Sequence, residues 1–439
     1  MTVLFTIIDT AVICAVPCLC LILPLPFNII AALVITFTLF LFVNIIPDIL
    51  KGARTQLKIL NGGGTLIIAF LVSAAVLSAL LIYRIAAGKF APETDIAYIV
   101  FAVLCEFIVL ANGLIRIYAT SVQAGIKLRV LAAVFAFVPV MNAVFLIKLM
   151  ITAKREAAFE KDYDEREKVF AENKTCSTRY PILMVHGVFF RDSRVLNYWG
   201  RVPAALERCG AVIRYGGQQS ALSVEQSANE LAARIEQTCK ELGCEKLNVI
   251  AHSKGGLDTR YAISKLGCGK YIASLTTICT PHRGCIFVEN IYNKIPEAGR
   301  LKMAAAYNAA ARRVGDTAPD FLAAVGDLRE SVSIARDAQM PDDPNVYYQS
   351  VGAAAKDRKS GRFPLNISLP LVNKTDGEND GLVSVTSSMH GAKHRTLRVP
   401  GTRGITHADM IDLNRENIKD FDVRTFYIEL VGELRGQGF

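Results

Sequence analysis

Hydrophobic residues are distributed unevenly and divide the chain into two parts. Long apolar runs occupy most of the first 152 residues, at 3–23, 29–46, 65–83, 96–114 and 130–151. A membrane-spanning helix needs roughly 20 apolar residues, so each run has about the length that a bilayer requires. The first run lacks a basic start, carries Asp9 and leads directly into the second, which argues against a cleaved signal peptide. We predict an all-α transmembrane domain over 1–152, with four to five apolar segments.

The fifth apolar run decides the orientation of the chain. Pro139 and Asn142 interrupt it, so it either crosses the membrane or returns as a re-entrant hairpin. A full crossing divides the basic residues between both sides and leaves the orientation open. With a re-entrant hairpin, Arg84 and Lys89 lie on one side, and the other side carries Lys51, Arg54, Lys58, Lys127, Arg129, Lys154 and Arg155. Basic residues favour the cytoplasmic side, so we expect a multi-pass protein of the cell membrane with its catalytic domain in the cytoplasm.

A different pattern follows residue 152. Residues 153–178 are dense in charges of both signs and predict a solvated helical linker. From 179 onward, short apolar runs alternate with amphipathic helical stretches, of which the strongest starts at Ser223 with Gln226 three residues later, a capping box. Such alternation predicts an α/β fold with a mostly parallel sheet covered by helices. We assign 179–439 to this domain, with inserted helices over 286–345 as a lid.

One short string has the composition of a nucleophile elbow. In NVIAHSKGG, residues 248–256, a strand pattern ends at Ser253 and a helical pattern begins directly after it. The turn requires small residues two positions before and two after the nucleophile, and Ala251 and Gly255 meet that requirement. The helix N-terminus then stabilises negative charge developing beside Ser253. We predict Ser253 as the nucleophile.

The string VHGV, 185–188, ends the first predicted strand of the domain. His186 belongs to this turn, and Gly187 allows the backbone to approach a substrate closely. We expect the backbone amides of Val188 and Lys254 to form the oxyanion hole. The alternative is a turn that only ends the strand.

The base and the acid follow from the chain order serine, acid, histidine. His407 lies in a glycine-punctuated loop before a helical pattern and is the predicted base, with His390 as the second candidate. Asp380, on a glycine-containing turn, is the predicted acid, with Asp376 as the second candidate. Surface positions for these groups are the alternative interpretation.

Four motifs in this order resemble those of the bacterial true lipases, the triacylglycerol lipase family of the α/β-hydrolase superfamily. They are PILMVHGV, NVIAHSKGGLDTRY, GENDGLVS and THADMIDL, within 181–285 and 376–412. The resemblance implies an α/β-hydrolase fold and a Ser253–Asp380–His407 triad. It also implies a structural calcium ion with Asp409 as a possible ligand, although no partner acid is evident.

Lys254 departs from this family, which usually has a neutral or apolar residue beside the oxyanion hole. We expect its side chain to point into solvent from the helix N-terminus. The family is mostly secreted, and a multi-span N-terminal region is unusual for it.

Composition adds few constraints. The formal charge is +9, without a long basic run, which argues against nucleic acid and favours an anionic lipid surface. Eleven cysteines without a CxxC pair disfavour zinc and suggest a reducing compartment. No nucleotide or redox cofactor is expected, and no obligate protein partner is inferred.

These observations predict a membrane-anchored serine hydrolase that cleaves carboxylic esters of lipids through an acyl-enzyme intermediate. The alternatives on the same scaffold are a thioesterase, an amidase or an acyltransferase. A non-catalytic membrane-bound binding module is an alternative of another class. A transporter with an accessory domain is disfavoured because only Asp9 and Glu106 are acidic within the apolar runs.

Overall fold

The chain packs as two compact units, Met1–Arg166 and Glu167–Phe439. The computed structural model describes residues 38, 44, 52–188, 198–313 and 315–439. Asp9 and the apolar runs 3–23 and 29–46, apart from residues 38 and 44, lie outside the described residues.

The described part of the first unit is helical. Its helices are α1 (Thr55–Ala86), α2 (Pro92–Thr120), α3 (Gly125–Val134) and α4 (Pro139–Glu172). Two described segments are long and apolar enough to cross a membrane, Thr55–Ala86 and Ala102–Thr120. They coincide with the third and fourth predicted apolar runs.

Glycines bring α1 and α2 into close contact. A Cβ atom at Gly63 would lie 3.0 Å from the Gly113 carbonyl oxygen and 2.9 Å from Ile117. A Cβ atom at Gly113 would in turn lie 3.2 Å from the Gly63 carbonyl oxygen. Small residues at such a crossing let two apolar helices pack backbone to backbone, as in membrane helix pairs.

The fifth apolar run forms two helices, as its central break indicates. Helix α3 ends at Val134, and α4 begins at Pro139, where proline tolerates the first helical position. The charged segment after residue 152 is helical up to Glu172, as expected. It continues α4 without interruption, so it is not a separate element.

The second unit contains a six-stranded parallel sheet in the order β2-β1-β3-β4-β5-β6. The strands are β1 (Ile182–Val185), β2 (Ile213–Tyr215), β3 (Leu247–His252), β4 (Ile272–Ile278), β5 (Tyr347–Ala353) and β6 (Lys393–Leu397). The helices are α5 (Val202–Arg208), α6 (Val224–Leu242), α7 (Lys254–Leu266), α8 (Ile286–Lys294), α9 (Glu297–Arg313), α10 (Phe321–Gly326), α11 (Glu330–Asp337), α12 (Leu365–Asp376) and α13 (Val423–Gly436).

Helix α6 shows how the sequence positions a helix against the sheet. The Ser223 hydroxyl accepts from the Gln226 amide at 3.2 Å, the predicted capping box, and Gly243 ends the helix in the left-handed conformation. Its buried face carries Leu231 and Ile235, which pack with β1, β3 and β4 in one hydrophobic core. The central strands β3 and β4 are buried at every position, as expected for strands covered on both faces.

The order of strands and helices agrees with the predicted α/β fold. The insertion at 286–345 contains α8 to α11, including the two helical stretches seen in the sequence. Five elements of this unit had no sequence signal, namely α8 and α11 of the insertion, β6, α12 and α13. Because parallel strands end at the same edge, the loops after β1, β3 and β4 meet at one edge of the sheet, the usual ligand-binding edge of such folds.

Candidate active site

Ser253 occupies the sharp turn between β3 and α7. Its φ and ψ are 55° and −131°, a conformation that a residue with a side chain rarely adopts. The Ser253 amide donates to the Ile278 carbonyl oxygen at 2.9 Å, and the Gly256 amide donates to the Ser253 carbonyl oxygen at 3.1 Å. The strained turn therefore holds the hydroxyl-bearing residue between a buried strand and a helix N-terminus.

Two glycines allow the loop after β1 to lie against this turn. A Cβ atom at Gly255 would lie 2.3 Å from the His186 carbonyl oxygen, and one at Gly187 would lie 2.8 Å from Cβ of Ser253. Any other residue at these two positions would push the loop away. The loop that precedes Val188 therefore contacts Ser253, where an oxyanion donor is required.

Asp380 and His407 form a buried pair. His407 Nδ1 lies 2.7 Å from Asp380 Oδ2, and the His407 amide donates to the Asp380 carbonyl oxygen at 2.9 Å. The other carboxylate oxygen, Oδ1, accepts from the amides of Leu382 and Val383 at 2.9 and 2.8 Å. Asp380 is thus fixed by backbone donors and can hold one tautomer of His407.

The other two histidines near the C-terminus, His390 and His394, contact groups other than Asp380. His390 Nε2 lies 3.1 Å from Asp342, and the His390 ring stacks on His282 with centroids 4.5 Å apart. Asp376 ends helix α12. His394 contacts the hydroxyls of Ser350 and Thr396 at 2.8 and 3.0 Å. The structure therefore pairs Asp380 with His407 among the predicted acids and bases.

Tyr198 joins the loop after β1 to the turn, a role that our sequence analysis missed. Its hydroxyl accepts from the Gly187 amide at 3.0 Å and lies 2.7 Å from His252 Nδ1. Burial and the neighbouring His407 hold the pKa of His252 well below its usual range, which keeps its ring neutral. The His252 ring packs on His407 with centroids 4.4 Å apart. Tyr198 lies in the string NYWG, and nothing in that string indicates that its hydroxyl contacts Gly187 and His252.

His186 supports the same loop from behind. Its two ring nitrogens lie 2.8 Å from the Gly187 carbonyl oxygen and 2.9 Å from that of Gln218. The side chain of Gln218 donates back to the His186 carbonyl oxygen at 3.0 Å. Burial lowers the pKa of His186, although its contacts with the two carbonyl oxygens raise it in part.

The expected solvent position of the Lys254 side chain is wrong. The side chain is 2% exposed, and Nζ donates to Asp258 at 2.7 Å and to the Ser227 hydroxyl at 2.9 Å. The i, i+4 spacing within α7 places the two charges on one face of the helix. Burial raises the pKa of Asp258 to about 6, although Lys254 lowers it in part. The hydrogen bond from Lys254 to Ser227 anchors the residue that follows Ser253 to α6.

The surroundings of Asp409 do not fit a calcium site. Arg403 donates to both carboxylate oxygens, at 2.8 and 3.0 Å, and the Thr406 amide and hydroxyl donate to Oδ2 at 2.8 and 2.7 Å. Arg403 also pairs with Glu416. A cation would have to displace a guanidinium that already neutralises this carboxylate.

The inserted helices reach the loop after β1. Val188 is buried in a cluster with Leu328 and with Ala324 of α10. Val224 of α6 and Leu257 of α7 complete that cluster. The insertion therefore covers the loop from which the expected oxyanion donor comes.

Known proteins are similar to about half of the chain. No protein-family model matches it. A triacylglycerol lipase of Burkholderia plantarii is 27% identical over 277 residues, which is 50% of this chain and 77% of that protein. A triacylglycerol lipase of Pseudarthrobacter phenanthrenivorans is 28% identical over 271 residues, 49% of this chain and 84% of that protein.

Among solved structures, the lipase of Staphylococcus hyicus has a TM-score of 0.46 at 17% identity, covering 59% of this chain and 97% of that chain. The sequence relatives support the resemblance to lipases of the α/β-hydrolase superfamily and support a carboxylic-ester hydrolase. Fusion to an N-terminal multi-span membrane region stays a prediction.

The buried Lys254–Asp258 pair gives a prediction about stability. Lys254→Met leaves a buried carboxylate without its cation, which costs about 3–5 kcal/mol. We expect the Tm of the full-length protein in detergent at pH 8 to fall by about 10 °C, given about 2–4 °C per kcal/mol for a domain of this size. The double variant Lys254→Met/Asp258→Leu should recover most of this loss, because it leaves no unpaired charge.

A matched control is the Lys240–Glu236 pair, which has the same i, i+4 spacing and a 2.8 Å contact, with Lys240 73% exposed. Lys240→Met should leave the Tm essentially unchanged, because an exposed ion pair contributes little to stability. Equal Tm values for Lys254→Met and Lys240→Met would contradict the structural role of the buried pair.

Proposed function

We propose that the protein is a membrane-anchored serine hydrolase that cleaves carboxylic esters of lipids, with Ser253, His407 and Asp380 as its catalytic triad. The observation that carries the proposal is the strained turn at Ser253, whose neighbour His252 packs on His407 of the buried Asp380–His407 pair. A binding module has no need for either feature. The relatives named as triacylglycerol lipases support the same class of reaction.

In this mechanism, His407 takes the proton of the Ser253 hydroxyl as the oxygen attacks the acyl carbonyl. Asp380 fixes the proton on Nδ1, so Nε2 is the basic nitrogen, and its charge stabilises the imidazolium that forms. His407 then gives the proton to the leaving alcohol. A water molecule then attacks the acyl-enzyme with the same help from His407, and the carboxylic acid is released.

The oxyanion of each tetrahedral intermediate is held by the amides of Val188 and Lys254. Lys254 begins helix α7, whose N-terminal amides and dipole favour negative charge. Tyr198 and His186 fix the loop that carries Val188 through the contacts at Gly187 described above. Each such donor accounts for about 10²–10³-fold in rate in comparable hydrolases.

The lipid substrate is argued from the position of the enzyme. Two helices with the length and composition of membrane spans precede the hydrolase unit in the chain. An enzyme tethered at a bilayer meets lipids at a raised effective concentration. The helices of the insertion, which reach Val188, would act as the lid over an apolar acyl site.

We also place the hydrolase unit on the cytoplasmic side. The fifth apolar run is divided between α3, which ends at Val134, and α4, which begins at Pro139, so neither apolar part has the roughly 20 residues that a bilayer crossing requires, which favours the re-entrant form. Most flanking basic residues then lie on one side. The seven cysteines of this unit are free thiols, as a reducing compartment allows: Cys176, Cys209, Cys239, Cys244, Cys268, Cys279 and Cys285.

The triad is tested by substitutions that distinguish it from the second candidates. Ser253→Ala should abolish labelling by a fluorophosphonate probe, and Asp380→Asn and His407→Gln should lower ester hydrolysis by about 10⁴-fold. The matched variants Asp376→Asn and His390→Gln should keep most of the activity, because within the described part of the chain neither residue contacts Asp380 or His407. Labelling that persists in Ser253→Ala would move the nucleophile elsewhere.

The substrate class is tested with the full-length protein. We expect a long-chain acylglycerol or phospholipid ester in mixed micelles to be cleaved with a higher kcat/KM than a soluble short-chain ester, because only the former reaches the membrane-held site at high local concentration. A parallel assay supplies a thioester, an amide and an acyl-acceptor alcohol. A preference for the soluble ester would reject the lipid assignment and leave the hydrolase intact, and faster transfer to the alcohol than to water would indicate an acyltransferase.

The orientation is tested by a reporter that is active only in the cytoplasm, fused after Phe439. We expect this fusion to be active, because the re-entrant form places most basic residues on the cytoplasmic side. A second fusion carries a reporter that is active only outside the cytoplasm. Activity of the second reporter instead of the first would reverse the orientation.

A further inference from the structure

A buried thiol lies beside the proposed acid and base. Cys279 follows β4 directly, with a φ of 50°, and its amide donates to the Val351 carbonyl oxygen at 2.7 Å. Its Sγ, a carboxylate oxygen of Asp380 and a ring nitrogen of His407 all lie within 4.8 Å of one another. All three residues are at least nine-tenths buried. The proposed hydrolysis uses only Asp380 and His407 and gives the thiol no role.

We propose that Cys279, Asp380 and His407 form an inhibitory site for a thiophilic divalent cation such as Zn²⁺. Thiolate, imidazole and carboxylate are the three side-chain ligands of zinc, and a soft sulfur selects for such cations against Mg²⁺ and Ca²⁺. Within the described residues, this group is the one that brings three such ligands together. The ligand atoms need only small shifts to surround one ion.

The charge balance favours binding. Binding of M²⁺ releases the Cys279 thiol proton to solvent, so the thiolate and the carboxylate together neutralise the cation. Burial and the neighbouring Asp380 hold the pKa of the Cys279 thiol well above its usual range, so this proton is present beforehand and its loss needs the metal.

Binding would stop the reaction through His407. The ring nitrogen nearest to Asp380 is Nδ1, at 2.7 Å, so the cation takes the lone pair of that nitrogen. The ring proton then sits on Nε2, which can no longer accept the proton of Ser253. This consequence rests on the proposed function, whereas the binding of the metal does not.

The test uses Cd²⁺, a thiophilic divalent cation that is chemically similar to Zn²⁺, as the probe. In full-length wild-type protein, Cd²⁺ should block fluorophosphonate labelling, and a chelator should restore it. The test variant is Cys279→Gly, because glycine tolerates the positive φ at this position. Inhibition of each protein is measured relative to its own labelling without metal. In Cys279→Gly the half-inhibitory Cd²⁺ concentration should rise by more than about 100-fold, since even a residue that only contacts a metal ligand contributes about 10–100-fold to metal affinity. Cys268→Ala removes another buried thiol and should behave like the wild type.

Equilibrium dialysis gives a second measurement that does not need activity. The wild type should bind one equivalent of Cd²⁺ more than either Cys279→Gly or Cys279→Ser, the latter with an oxygen in place of sulfur. Equal inhibition of the wild type and Cys279→Gly, or equal stoichiometry in all of them, would overturn the proposal. If neither the wild type nor any variant is labelled by the fluorophosphonate even with chelator, the proposed function fails. The metal site is still supported in that case if both Cys279 variants bind one equivalent of Cd²⁺ less than the wild type.

Discussion

The whole candidate site depends on one backbone constraint, the turn at Ser253. Its positive φ of 55° costs about 1–3 kcal/mol and persists only where the surroundings leave no alternative. The surroundings here are a fully buried strand on one side and a helix on the other, with the loop after β1 pressed against both. The missing side chain of Gly255, which admits the His186 carbonyl oxygen, makes that contact possible.

A second constraint fixes the groups that arrive from the far end of the sheet. Asp380 and His407 lie in separate loops, yet two hydrogen bonds join them, one through the backbone at 2.9 Å and one through the side chains at 2.7 Å. The amides of Leu382 and Val383 hold the remaining carboxylate oxygen. These contacts within the protein hold the pair in place, as electrostatic preorganisation requires.

Motifs with local chemistry could be predicted from the sequence, and contacts between distant segments could not. The turn at Ser253, the capping box at Ser223 and the parallel sheet follow from spacing and periodicity. Lys254 shows both sides of this rule: its partner Asp258 lies only four residues on, but the sequence does not reveal that α6 covers this face of the helix and buries the pair. Tyr198 and Cys279 were missed because their partners are remote in sequence and their residue types are not diagnostic.

The two buried charges beside the turn have opposite consequences. Lys254 is balanced by Asp258 whenever that carboxyl is ionised, so the pair can stabilise the fold without leaving a net charge near Ser253. Among the described ion pairs, Asp380 has no lysine or arginine partner and contacts only the ring of His407. On the proposed mechanism, this imbalance is what makes the imidazolium favourable at the moment of reaction. It also leaves a buried carboxylate that a metal ion can neutralise, and the adjacent Cys279 supplies the ligand that selects which ion does so.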